Sequence, residues 1–132
     1  MIRAARLLLG ASFCASAAMA GGKSAQTAVN CTPLGELRGD AERGAILHHE
    51  HCADCHGERG RAATGMKHMD VPPRDQGDAR YMQTLPDEFL YLAICRGGKA
   101  VGRNATMPAW GNTLSDQDIK DLIAWIRSFP ET

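Results

Sequence analysis

The sequence predicts a small all-α fold of three or more helices wrapped around one cofactor. Three observations carry this. Apolar residues return at helical spacing towards the C-terminus, no stretch alternates convincingly as a strand, and a single C-x-x-C-H, Cys52-Ala53-Asp54-Cys55-His56, stands directly behind a helical stretch.

Taken in order, residues 1–20 read as a cleaved secretory signal. Arg3 and Arg6 lie in an acid-free start, Leu7 to Ala18 is apolar and small, and Ala18-Met19-Ala20 is an A-x-A cleavage site. The run is too short for a transmembrane segment, which takes about 20 apolar residues. Acylation at Cys14 is the rival processing route, and the bulky Phe13 before it argues against that. Residues 21–38 are rich in small and polar side chains without a sustained period and read as a loosely ordered leader. Residues 39–132 form the globular domain.

Within that domain, Asp40 to His51 reads as a short helix with an acidic first turn and with Ile46 and Leu47 inward. Gly57 to Gly65 is loop. Met66 to Tyr81, with Pro72, Pro73 and Gly77, is largely irregular. A second helix runs from Leu85 or Pro86 to Arg96, with Phe89, Leu90, Ala93 and Ile94 on one face and Gly97 as its stop. Ser115-Asp116-Gln117-Asp118 is a capping-box pattern, and Ile119, Leu122, Ile123, Ile126 and Phe129 recur behind it as the face of a third helix. There is no internal repeat, no coiled-coil heptad and no second C-x-x-C-H.

The chemistry follows from the motif. Two residues between Cys52 and Cys55 let both sulfurs face one porphyrin edge, where each adds to a vinyl group, and His56 falls beneath the iron. One haem c, covalent through Cys52 and Cys55 and ligated by His56, is expected. Zinc and dithiol redox readings use the same atoms. The first needs a second ligand pair, which the crowded His48, His49 and His51 do not supply; the second needs a strand before the motif and a helix behind it.

For the other face of the iron, Met107 in Thr106-Met107-Pro108-Ala109-Trp110-Gly111 is the candidate: a thioether in a proline-fixed loop far along the chain. Met66, Met69 and Met82 compete as sulfurs, and His68 would give two imidazoles. Cys31 and Cys95 remain, and an oxidising compartment would join them where geometry allows; the alternative is two unrelated thiols.

Acidic and basic residues balance at 15 each, and loss of Arg3 and Arg6 leaves the rest slightly acidic. No basic patch calls for nucleic acid or an anionic membrane. Only Glu58 to Arg103 is net positive, which is either a dipole that steers an acidic partner or a plain solvated surface.

Gly44 and its helix, Cys52-Ala53-Asp54-Cys55-His56-Gly57, the Met107-Pro108 loop and the amphipathic helix with Trp125 occur in the order seen in class I cytochromes c of bacterial periplasms, which the chain resembles from Gly39 to Phe129. The resemblance implies a cytochrome c fold in which Gly44 lets the first and last helices approach and Trp125 packs at their crossing. It departs at His48, where the family commonly has an aromatic. Further implications are one-electron transport in the periplasm without bond chemistry, so no enzyme, and a monomer that meets transient redox protein partners through a small interface. By the same resemblance the carbonyl of Pro72 or Pro73 accepts the His56 N–H; Trp110 and Arg74 are candidates for haem propionate contacts, against the alternatives of a plain core residue for Trp110 and a plain surface residue for Arg74. Two other functions use the same cofactor. One is a haem enzyme or gas sensor with an open or labile sixth site; the other is a dedicated electron-accepting cytochrome subunit of a periplasmic dehydrogenase.

Overall fold

Helices α1 (Ala41–His51) and α5 (Asp116–Arg127), from opposite ends of the domain, cross and hold the structure together. Between them come α2 (Ala53–His56), α3 (Ala79–Met82), α4 (Asp87–Arg96) and a 3-10 turn (Gly98–Val101). The computed structural model describes residues 31–32, 34–61, 66 and 69–129. The signal segment with Cys14, the leader up to residue 30, and His68 lie outside the described residues. Among the described residues there is no strand, and no helix is long and apolar enough to cross a membrane.

Both long helices start on side-chain caps. The Asp40 carboxylate accepts the N–H groups of Glu42 and Arg43 at 2.9 and 3.2 Å, satisfying donors that a first turn leaves without intrahelical partners. On α5 both halves of the capping box form: Ser115 Oγ accepts the Asp118 N–H at 3.2 Å and the Asp118 carboxylate accepts the Ser115 N–H at 2.9 Å. The Asp118 carboxyl is held below its usual range by the Ser115 hydrogen bonds and by nearby Arg43.

The crossing is possible because position 44 has no side chain. A Cβ there would overlap the Asp121 carbonyl oxygen and come within 2.9 Å of Trp125 Cβ. One turn further along α1, His48 fills the next layer and is fully buried, with Nε2 3.2 Å from Gln76 Oε1 and the ring edge-on to Phe129 at 5.7 Å. Trp125 in turn meets Phe129 edge-on at 5.3 Å. Asp121 is the other polar group in the seam. It accepts the Asp40 N–H at 2.9 Å and the Gln117 amide at 2.8 Å, with Arg43 Nη1 3.5 Å away, so the burial of its charge is compensated.

Ile46 is 62% exposed, which corrects its expected inward placement. Gly44 and His48, four residues apart, occupy the buried face, and position 46 lies half a turn away from both. Leu47 does pack against the core. On α5 the expected face of Ile119, Leu122, Ile123, Ile126 and Phe129 is buried. On α4 Leu90 and Ile94 are buried, but the inward stripe runs on to Tyr91 and Cys95, leaving Phe89 and Ala93 half-buried.

α3 interrupts the stretch read as irregular. Asp78 caps it by accepting the Tyr81 N–H at 3.1 Å, and Arg127 on α5 fixes its end by donating to the Met82 carbonyl at 2.6 Å, while also reaching Asp87, the first residue of α4, at 2.8 Å. Residues 31, 32 and 34–38 run across α4 and α5. Cys31 is bonded to Cys95, with their Cα atoms 6.0 Å apart. Thr32 Oγ1 donates to Asp116, the Leu34 N–H donates to Glu88 Oε2 at 3.1 Å, and the Arg38 carbonyl accepts from Gln117 at 2.9 Å.

Candidate haem-binding site

The C-x-x-C-H motif folds into a single helical turn at the end of α1. Cys52 closes α1, its N–H donating to the His48 carbonyl at 2.9 Å, and starts α2, its own carbonyl accepting from Cys55 at 3.1 Å and His56 at 2.8 Å. Cys52 and Cys55 are therefore three apart on one turn and lie on the same side of it. Both thiols are free, Cys52 half-buried and Cys55 exposed. Burial, and then the neighbouring Cys55, push the Cys52 thiol up to about 11.

His56 is half-buried, and burial lowers its pKa against the opposing pull of the Arg74 backbone, with His48 lowering it further. The backbone that reaches this ring belongs to Arg74, one residue beyond the expected Pro72 and Pro73. The two prolines carry fixed φ angles, and the next carbonyl is the one turned to the imidazole. The approach falls short of a well-formed hydrogen bond, and Nδ1 remains a buried nitrogen without a partner. The Arg74 guanidinium itself is exposed and sits 4.2 Å from the centre of the Tyr81 ring, whose hydroxyl accepts from Arg103 at 3.3 Å.

Met107 is half-buried and packs against the core. Its loop lies along the end of α4. The Met107 carbonyl accepts the Gly98 N–H at 3.1 Å, and the Trp110 and Gly111 N–H groups donate to the Ile94 and Cys95 carbonyls at 3.0 Å each. Gly97, with φ of +81°, turns the chain where any Cβ would stand 3.0 Å from the Met107 carbonyl oxygen. The indole of Trp110 packs on His51, the residue before Cys52, with ring centres 5.2 Å apart. The loop carrying Met107 and the turn carrying Cys52, Cys55 and His56 are thus brought together. Of the competing sulfurs, Met82 is buried in the core, while Met66 and Met69 are half-buried in the loop before the prolines.

Two free thiols on one face of a turn, an imidazole next in sequence and a buried Nδ1 seeking an acceptor form a donor set that fits a covalent haem. Among the described residues no group of three or more His, Cys, Asp or Glu converges to hold a metal ion. His49, which could suggest zinc, pairs instead with Glu58 at 2.9 Å.

Residues 39–126 match the family model of cytochrome c oxidase, cbb3-type, subunit III. The chain belongs to this family of c-type cytochromes. A covalently bound haem c and a role in electron transfer come with that membership. Curated relatives include the cbb3-type cytochrome c oxidase subunit CcoP of Azospirillum brasilense, 33% identical over 67% of this chain and 28% of that protein. Another is the subunit FixPc of Rhizobium leguminosarum bv. viciae, 29% identical over 68% of the chain and 28% of its own length. The chain thus spans under a third of the length of these relatives. Among solved structures, the KustC0563 c-type cytochrome superposes with a TM-score of 0.55 at 24% identity, covering 67% of this cytochrome and 98% of that chain, which establishes the all-α cytochrome c fold.

Three elements of the site escaped sequence reading. The His51–Trp110 pair joins residues far apart in the chain, with no motif to link them. The buried Tyr91 hydroxyl donates to Asp116, which also receives Thr32; only the polar tip of Tyr91 in an apolar helix hinted at it. The burial of Asp121 was signalled by its i, i+4 spacing from Gln117 and by nothing else.

Proposed function

We propose that this chain is a periplasmic electron-transfer cytochrome that carries one haem c and passes single electrons while docked to a larger redox complex. The observation that supports it most is the single turn that puts Cys52 and Cys55 on one side with His56 next to them. In this reading the two thiols tether the group, His56 supplies the proximal nitrogen, and the Arg74 carbonyl orients the ring through Nδ1. Met107, on the loop packed against the end of α4, would supply the second ligand to the iron. Bound there, the haem provides a one-electron iron couple, and His/Met ligation raises its potential and shuts out exogenous ligands. The residues around it bind, orient and exclude water, and in this reading the protein is an electron carrier and not an enzyme.

Docking to a complex is favoured over free diffusion because the curated relatives are named as oxidase subunits. The partner suggested by those names is an oxidase and not the dehydrogenase considered from the sequence. The periplasmic location rests on the covalent haem motif and the Cys31–Cys95 disulfide, both at home in an oxidising compartment.

The test is the visible spectrum of purified haem-loaded protein, ferric and then reduced under carbon monoxide, in wild type and Met107→Ala. A ferric sulfur-to-iron band that vanishes in the variant, with no carbon monoxide binding by wild type, supports the closed carrier. Ready binding by wild type moves the reading to a sensor or enzyme. Affinity purification of the tagged full chain from membranes separates docked from diffusing: recovery with a terminal oxidase supports the first, recovery alone the second.

A further inference from the structure

A helix ends with carbonyls that have no partner of their own. In α4 two of these, on Ile94 and Cys95, are satisfied by the N–H groups of Trp110 and Gly111, while the Gly98 N–H just beyond the helix holds the Met107 carbonyl. Helix end and methionine loop therefore cap one another, and neither keeps its shape if the other moves. Any Cβ on Gly97 would stand 3.0 Å from both the Met107 oxygen and the Ala109 nitrogen, so the two strands of backbone are in close contact along their length.

What fixes the helix end itself is Cys95. Its side chain is 1% exposed and bonded to Cys31. Cys31 opens a segment with its own anchors: Thr32 on Asp116, Leu34 on Glu88, Arg38 on Gln117 and Asp40 on Asp121. Asp116, Gln117 and Asp121 all belong to α5, the helix at the centre of the core. The covalent bond thus ties the C-terminal turn of α4, and through it the loop, to the frame built by α1 and α5. At its other end α4 is held by the Asp87–Arg127 pair at 2.7 Å. The disulfide is the matching fixture at the end where Met107 docks.

We propose that the Cys31–Cys95 disulfide is a positioning device for Met107, holding its loop against the haem face so that the sulfur stays on the iron. This rests on the reading of Met107 as axial ligand. Cys31 and Cys95 act through the backbone of residues 94–98 and 107–111.

The experiment compares haem-loaded wild type, the double variant Cys31→Ser/Cys95→Ser, and Gly44→Ala. Gly44→Ala weakens the α1–α5 crossing without touching the loop. For each, the loss of the ferric sulfur-to-iron band with rising pH is set against the denaturant midpoint of helix loss, and amide exchange is followed at Trp110 and Gly111. The expected result is a ligand-loss equilibrium constant at least tenfold larger in the cysteine variant than in Gly44→Ala at matched global stability, with Trp110 and Gly111 exchanging faster. Equal ligand loss in the two variants would overturn the positioning role and leave the disulfide as a global brace.

A wild type without the band sinks the Met107 reading and this inference together, whereas a band indifferent to the disulfide sinks the inference alone. Should the double variant not fold, the folded ferrous wild type is treated with dithiothreitol, which opens the disulfide to two thiols and leaves as its own cyclic disulfide. Carbon monoxide binding that accelerates with thiol release supports the proposal, and unchanged exclusion refutes it.

Discussion

The imidazole of His51 packs on the indole of Trp110 with ring centres 5.2 Å apart and planes inclined by 50°. One ring precedes the first cysteine of the haem-binding turn and the other follows Met107 by three residues, so the contact spans the two halves of the site. His51→Ala should weaken the hold of the loop by about 0.5–1.5 kcal/mol, the worth of a good ring pair beyond its buried area. Faster amide exchange at Trp110, with the global denaturant midpoint nearly unmoved, is the expected reading.

Covalent attachment makes a simpler prediction. Haem stays with the wild-type chain under acidified-solvent extraction and denaturing electrophoresis. Cys52→Ser and Cys55→Ser each keep one thioether and shift the reduced spectrum, and the double variant surrenders the haem altogether. Haem retained by the double variant would disprove attachment through these cysteines.

At the helix crossing, Gly44→Ala drives a methyl group into the Asp121 carbonyl and against Trp125 Cβ. Overpacking of this kind costs about 1–3 kcal/mol, to be read from denaturant unfolding monitored by helical circular dichroism. Ser115→Ala removes the acceptor for the Asp118 N–H and one half of the capping box, with an expected loss of about 1 kcal/mol. Arg43 contacts both Asp118 and Asp121, so the two substitutions should couple, and a double-mutant cycle should depart from additivity.

His48 sets a pH dependence. Burial lowers its pKa below the ordinary 6.5, with the Gln76 hydrogen bond and Glu58 opposing and His49 reinforcing the shift. The unfolded chain therefore takes up the proton first as pH falls. The stability contributed by neutral His48 is complete above pH 6.5 and drains away as pH drops from there through the folded pKa. His48→Phe should flatten that part of the curve. An unchanged slope between wild type and variant would show that the buried ring is not its source.

Much of this was legible in the chain. The capping box of α5, its apolar face and the motif turn are local patterns, and each depends on residues within one or two turns of one another. Ile46 misled because an apolar residue in a short helix looks inward until the true buried face is known, and that face is set by Gly44 and His48 meeting a helix 70 or so residues away. α3 was hidden between prolines and is only one turn long, too short for any period to show. The carbonyl facing His56 fell one residue later than Pro73, a difference that depends on how a loop is laid down in three dimensions. The His51–Trp110 contact and the mutual capping of α4 and the Met107 loop join segments with no shared pattern, so sequence spacing had nothing to say about them.

The pairing of α1 with α5 also bears on how the protein forms. The contact from Asp40 to Asp121 spans 81 positions, and closing a flexible loop of that length costs about 4 kcal/mol in chain entropy before any packing is gained. The residues enclosed by that closure lean on the two helices it brings together. Folding should therefore be a single slow cooperative event with few stable halfway states. A substitution at Gly44 should slow folding of the whole domain, while the native contacts of the Met107 loop stay as they are.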